Sequence, residues 1–201
     1  STVVITKDFA GLWADSRYFV QAEDQLKGSG FELVKLQAQG MAEYIDWLGE
    51  KLPEGAKIAF DEKTVSVLLG LQLEKQLAFK NINFENQDYV GQIWNDRPAL
   101  PAEPAFLLTE EVVGQSVPSK LAAIRASLKK QRIAYHLVSS LDDMAWIFNL
   151  RGQDVGYNPV VLSFALITED KATIYIDANK LTANDLATLA NQGVTISAYD
   201  D

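Results

Sequence analysis

The chain of 201 residues is 48% hydrophobic and 22% charged, a globular balance that can bury a core and excludes a disordered polypeptide. Its formal net charge of −9 is divided as 10 basic and 18 acidic groups in residues 1–118 and 8 and 9 in residues 119–201, which excludes nucleic acid as the main partner because phosphate binding needs a basic face. The lack of cysteine excludes disulfides and thiolate metal sites, and no stretch approaches the roughly 20 apolar residues that span a membrane, so a cytoplasmic protein with no membrane partner is expected.

In chain order, Val4 to Asp15 comes first: an apolar run, a polar turn and a second run alternating toward Asp15, the pattern of a β-hairpin followed by a helix start. The same pattern returns 162 positions later at Leu166 to Asp177, with Ile, Thr, Asp, Ala and Asp identical at matching places. Phe19 to Leu26 reads as a short helix, broken by Gly28-Ser29-Gly30 before the alternating strand Phe31 to Leu36. Met41, Tyr44, Ile45 and Leu48 fall at helical spacing, Pro53-Glu54-Gly55 turns, Lys57 to Phe60 is a short strand, and Val65, Leu68, Leu69 and Leu73 mark another helix. The alternation of strand and helix predicts α/β units with partly parallel strands.

Pro98, Pro101 and Pro104 then interrupt the pattern, and Pro118 follows; with fixed φ and no backbone donor, these residues predict an extended connector. The next unit opens with a helix carrying Leu121, Ile124 and Leu128 on one face and Pro118 in its first turn, then the strand Ile133 to Val138. Ser140-Leu141-Asp142-Asp143 starts a further helix, Ser140 as its cap and the two carboxylates where the helix dipole favours them, with Gly152 able to end it. Gln153 to Pro159, beyond it, adds Asp, Tyr and Asn to the densest set of hydrogen-bonding groups in the chain.

The expected division is therefore residues 1–103 as the C-terminal part of a first domain, 104–118 as a linker and 119–201 as the N-terminal part of a homologous second domain. About 45 residues precede the second hairpin within its unit and almost none the first, so each unit is expected to be incomplete and the chain to be part of a longer protein.

Candidate chemistry is sparse. His136 is the single histidine and lies in an apolar strand, read as structural rather than as a ligand or base. Asp142 and Asp143 are helix neighbours about 100° apart, read as first-turn capping rather than a paired acid and base. Glu110-Glu111 and Asp200-Asp201 read as solvated, as does the helix face of Arg125, Lys129, Lys130 and Arg132. Gly28-Ser29-Gly30 lacks the further glycine and following helix of a dinucleotide site. Trp13, Trp47, Trp94 and Trp146 sit in apolar patterns and are expected to pack in the core or between domains.

Several segments together resemble the long-form aminopeptidase P (Xaa-Pro aminopeptidase) branch of the creatinase and prolidase superfamily. Trp13-Ala14-Asp15-Ser16-Arg17-Tyr18-Phe19 resembles that family's Trp-Thr-Asp-Gly-Arg-Tyr-Phe, and Ile93-Trp94-Asn95-Asp96-Arg97-Pro98 its interdomain segment. Leu141 to Gly152 resembles its Leu-Asp-Glu-Ile-Ala-Trp-Leu-Asn-Leu-Arg-Gly motif, and Asn158-Pro159-Val160 completes the match. Ser16 departs from the family's Gly, which makes a positive φ there unexpected.

The resemblance implies creatinase N-terminal-like, ribonuclease H-like units, each a mixed sheet flanked by helices, and a catalytic C-terminal domain beyond them. In that family two divalent metal ions, usually manganese, sit in the C-terminal domain on two Asp, one His and two Glu, so no cofactor and no catalytic residue is expected in the present chain. Partners implied are the protein's own C-terminal catalytic domain, peptides with proline at the second position, and a second copy in a homodimer. The loop after Arg151 is expected at the substrate-cleft rim, where Arg151 could hold a carboxylate and Tyr157 and Asn158 add hydrogen bonds; the plainer alternative has Arg151 capping helix carbonyls and Asn158-Pro159 forming a turn. A noncatalytic creatinase-like protein-binding module is the second function class.

Overall fold

Alternation from Thr2 to Asp15 folds as the expected hairpin: β1 (Thr2–Ile5) runs antiparallel to β2 (Ala10–Ala14) with Ile5 opposite Ala10. The structure, a computed structural model, describes residues 1–37 and 42–201 and divides into Ser1–Arg97 and Pro98–Asp201; Met41 of the expected helix lies outside the described residues. In the first unit a short 3-10 turn and α1 (Phe19–Gln25) cross over to β3 (Glu32–Lys35), parallel to β2. There follow α2 (Glu43–Lys51), β4 (Lys57–Phe60), α3 (Val67–Leu77), β5 (Asn83–Asn86), which pairs parallel with β4, and α4 (Tyr89–Ile93).

The core of this unit is built on Trp13, which meets Phe9 and Trp47 edge-on at 5.8 and 5.4 Å between ring centroids and packs with Ile45, Leu48, Leu73 and Leu77. Edge-to-face rings add to the area that burial removes from water. Helix α3 faces inward with Leu69, Leu73 and Leu77, four residues apart, so Leu68, read from spacing as part of the same stripe, points to solvent beside Val67. Trp94 is also exposed rather than packed in a core. β5 had no sequence signal, because an Asn-Phe-Glu-Asn strand carries none of the β-branched residues that mark strands.

The second unit contains β6 (Phe106–Leu107), α5 (Glu110–Val113), α6 (Val117–Gln131), β7 (Tyr135–Val138), α7 (Leu141–Ile147) and β8 (Leu150–Arg151). It continues through β9 (Phe164–Thr168), β10 (Ala172–Tyr175), α8 (Ala183–Asn191) and β11 (Val194–Ser197), and its sheet runs β11-β10-β9-β7 with only the β10–β11 pair parallel. Pro118 sits in the first turn of α6, whose N-cap Ser116 accepts from Ser119 N. Residues 104–118 hold β6, α5 and the start of α6, and Ala105 and Val117 lie in the second core, so the extended, proline-spaced stretch stops at Pro104. The physical reason is that residues 105–117 contain no proline and their backbone is free to pair: Phe106 lies opposite Arg151, and Ala105 N donates to Lys180 O at 2.8 Å.

The sequence repeat is a structural repeat. Ile5 opposite Ala10 corresponds to Ile167 opposite Ala172, and the turn bond Thr6 N to Phe9 O at 2.7 Å corresponds to Thr168 N to Lys171 O at 2.9 Å. Asp15 accepts from Arg17 N and Asp177 from Asn179 N, each capping the 3-10 turn after its hairpin. Gly30 and Gly193, both at positive φ, lead into the parallel strands β3 and β11. Ser16 needs no positive φ, in keeping with its departure from glycine.

Two outcomes test this packing. Trp13→Ala should cost about 3–5 kcal/mol in urea denaturation followed by circular dichroism. Arg17 donates to Asp15 from its side chain and its backbone N–H, and these bonds, with the attraction of the guanidinium charge, hold the Asp15 carboxyl at about 2 against its ordinary 3.8. A depressed carboxyl contributes stability that is complete above the unfolded value and lost as pH falls through the folded one. The stability difference between the wild-type chain and Asp15→Asn should therefore stay constant from neutral pH down to the ordinary value and vanish as pH falls toward 2.

Candidate functional site

Ser140 caps α7 by accepting from Asp143 N, and Asp142 and Asp143 occupy its first turn, as first-turn capping requires. The helix stops at Phe148 and not at Gly152: Asn149 takes φ 54°, and its buried side chain leaves the helix to bond elsewhere. Asn149 Nδ2 donates to Gln115 O at 3.2 Å, and Asn149 Oδ1 accepts from Lys120 Nζ at 2.6 Å. Lys120 Nζ also donates to Trp146 O at 2.6 Å and lies 4.6 Å from the Trp146 ring centroid, so the exposed Trp146 screens a buried ammonium instead of filling a core. Burial, followed by the nearby Arg151 charge, lowers the Lys120 pKa.

Released from the helix, residues 150 and 151 form β8 against β6. Arg151 Nη1 donates to Ala145 O and to Leu150 O, so its guanidinium caps the carbonyl end of α7, the plainer of the two roles expected for it. Gly152 follows where an added Cβ would meet the Val161 side chain, which keeps the position open to glycine alone.

The chain then makes a closed loop. Asp154 N donates to Val160 O, Asn158 N to Val155 O at 3.2 Å and Val160 N to Asn158 O at 2.8 Å, with Val155 and Asn158 bridged. Asp154 Oδ2 accepts from Leu162 N at 2.7 Å and from Lys180 Nζ at 2.6 Å, in an ion pair whose side chains are 1% and 4% exposed. At the tip Tyr157 holds φ 65° and is fully exposed. Asn158 thus makes the turn expected of it, while Tyr157 projects a phenol into solvent from a strained backbone held by a buried base.

Two residues of this constellation escaped the sequence reading: Lys120 and Lys180. Lys120 stands on the inward stripe of α6 with Val117, Leu121, Ile124 and Leu128, and a cation in an apolar helical stripe is the signal that would have found it. His136 lies in β7 opposite Ile167 with its side chain exposed. Among the described residues no group of three or more His, Asp or Glu side chains converges as a metal would need, and no helix is long and apolar enough to cross a membrane.

Residues 96–201 match the creatinase/prolidase N-terminal domain, and residues 1–91 match a second description of the same N-terminal domain. The chain belongs to the creatinase/prolidase N-terminal domain family. Both halves of the repeat thus carry creatinase/prolidase N-terminal units of mixed α/β fold, as the resemblance implied. Among curated relatives, a probable Xaa-Pro aminopeptidase P of Neurospora crassa is 36% identical over 204 residues, covering 100% of this chain and 30% of its own length. Aminopeptidase P1 of Arabidopsis thaliana is 35% identical, covering 98% and 30%. The crystal structure of an X-prolyl aminopeptidase from Caenorhabditis elegans, described as a cytosolic enzyme with a di-nuclear active site, superposes with a TM-score of 0.90 at 31% identity over 98% of this chain and 32% of that one. The chain spans about a third of the length of these relatives.

The loop's base should be the sensitive part. Lys180→Met leaves Asp154 buried without its counter-charge and should cost about 3–5 kcal/mol in guanidinium denaturation, whereas joint replacement of Lys180 by Met and Asp154 by Leu should recover most of that loss.

Proposed function

We propose that this chain is the noncatalytic N-terminal region of a dinuclear-metal Xaa-Pro aminopeptidase, a cytoplasmic and homodimeric enzyme that removes an N-terminal residue preceding proline. The observation that carries the reading is similarity along the whole chain, 36% identity over 204 residues to a probable Xaa-Pro aminopeptidase P together with the TM-score of 0.90 to an X-prolyl aminopeptidase. The catalytic metals, manganese by the resemblance, belong to a C-terminal catalytic domain outside the present residues. This chain's work is to shape the cleft that the peptide enters, and its two units each represent part of a creatinase-type domain.

Within that role the loop from Asp154 to Val160 forms the rim. Its buried ion pair fixes the base, and the strained, solvent-directed Tyr157 and the neighbouring Asn158 supply the donors and acceptors that meet peptide or catalytic domain. Arg151 sets the loop's origin through its Nη1 contacts. Its Nε and Nη2, which have no hydrogen-bond partner among the described residues, face a carboxylate of the bound peptide or of the catalytic domain.

Release of the first residue from an Xaa-Pro-Pro peptide with added manganese tests the reading in the protein that includes the downstream domain. Activity should appear there and not in residues 1–201 alone; a downstream protein that is inactive when loaded with manganese would instead favour a creatinase-like binding module. Tyr157→Ala in the active protein should lower kcat/KM by about tenfold, equivalent to about 1.4 kcal/mol, and the same substitution should leave the thermal stability of residues 1–201 unchanged, since within them the side chain buries nothing. An unchanged kcat/KM would remove the loop from the cleft.

A further inference from the structure

The basic residues near the end of α6 do not form the uniform solvated face that their spacing implies. Arg125, Lys129 and Arg132 line one cavity of about 500 Å³, together with the apolar Leu128 and Ile133 and with Glu169 from the turn between β9 and β10. Lys130 is not part of its lining.

Arg125 is the informative member. Its Nε donates to Thr168 O at 3.0 Å, which ties the guanidinium to the end of β9, while its Nη2 is buried with no acceptor among the described residues. A buried guanidinium nitrogen without an acceptor is costly, and a bound anion removes that cost. The nearby carboxylates do not supply one: Asp170 accepts from Thr168 Oγ1 at 2.8 Å, and among the described residues no carboxylate forms an ion pair with Arg125, Lys129 or Arg132. Helix-end electrostatics do not account for the cluster either. The Leu128 and Lys129 carbonyls at the end of α6 already accept main-chain N–H groups from Arg132 and Ile133, and Arg125 stands well before the last turn, to which the dipole's influence is confined. Arg132 itself holds φ 58°, a left-handed position that favours glycine or asparagine over arginine.

We propose that this cavity binds an organic monocarboxylate with an apolar body, the carboxylate held by Arg125, Lys129 and Arg132 and the aliphatic part packed against Leu128 and Ile133. The planar fork of a guanidinium matches a carboxylate. Three cations against the single carboxylate of Glu169 leave a positive lining in a chain of net charge −9, and Glu169 repels a doubly charged phosphate. The apolar lining selects against small, fully hydrated anions. Two sources carry this chemistry: a free aliphatic acid, and the C-terminus of a peptide ending in an aliphatic residue. The cavity lies within the second unit and does not depend on the peptidase reading.

Isothermal titration calorimetry of the natural protein that contains these residues tests the site, with hexanoate, acetyl-Ala-Leu, the C-terminal amide of acetyl-Ala-Leu and inorganic phosphate as probes. At least one of the two carboxylates should bind saturably and more tightly than phosphate, the amide should not bind, and the tighter carboxylate names the source. Absence of saturable carboxylate binding, equal binding of the amide, or tighter binding of phosphate would overturn the proposal. Arg125→Met should weaken carboxylate binding by about tenfold or more. Because Arg125 also ties α6 to β9, substitutions at exposed positions decide the same point without disturbing the fold. Lys129→Gln should weaken binding about threefold, Glu169→Gln should strengthen it by about the same factor, and Lys130→Gln should leave it unchanged. Equal losses in Lys129→Gln and Lys130→Gln would reduce the effect to the general field of a basic helix face, and binding that none of these substitutions alters would belong elsewhere on the protein; either result would overturn the site.

Discussion

The buried pair of Lys180 and Asp154 is the contact on which the architecture around the candidate site depends. Lys180 reaches three segments at once: its ammonium binds Asp154, its main-chain oxygen accepts from Ala105 at the start of β6, and it sits in the 3-10 turn that follows β10. Asp154 adds the amide of Leu162. Removing two charges from water is costly, and mutual attraction offsets that cost only when geometry and further hydrogen bonds are good. Such a pair adds little net stability, but it makes every alternative placement of the loop expensive, because each would strand a buried charge. The exposed tip at Tyr157 can hold a strained backbone because its base has no such freedom.

A second buried cation works alongside. Lys120 ties Asn149 and the Trp146 carbonyl to α6, and this tie ends α7 where it does. Without it Phe148 to Gly152 would be free to continue as helix, and Arg151 would turn away from the carbonyls of Ala145 and Leu150. The two lysines thus convert a helical sequence pattern into a strand and a projecting loop.

That conversion marks the limit of what the sequence made legible. The two hairpins, the crossover helix α1 and strands β3 and β4 follow from periodicity and turn chemistry, which act over a few residues. Asn149 defeats such reading because its left-handed conformation is stabilised by Lys120, 29 residues away. Leu68 and Leu69 are adjacent apolar residues, and only the tertiary partners of α3 decide which one faces inward. β5 is recruited to a sheet by its neighbour β4 despite poor strand propensity. At the candidate site the residue types at 151, 157 and 158 were visible, while the ion pair fixing them was not, since charge pairing across 26 residues leaves no periodic trace.

The repeated cassette of hairpin, crossover and parallel strand also differs in length in one place. From the capping Asp to the left-handed glycine is 15 positions in the first copy, Asp15 to Gly30, and 16 in the second, Asp177 to Gly193. An extra residue inside a strand would transfer every later side chain to the opposite sheet face. Placed in the solvent-facing crossover, it is absorbed ahead of the glycine, which restarts the pleat in the same phase. Since duplication the two copies have therefore been free to diverge in length and surface along the crossover, while the backbone ladder on either side of it holds a single phase.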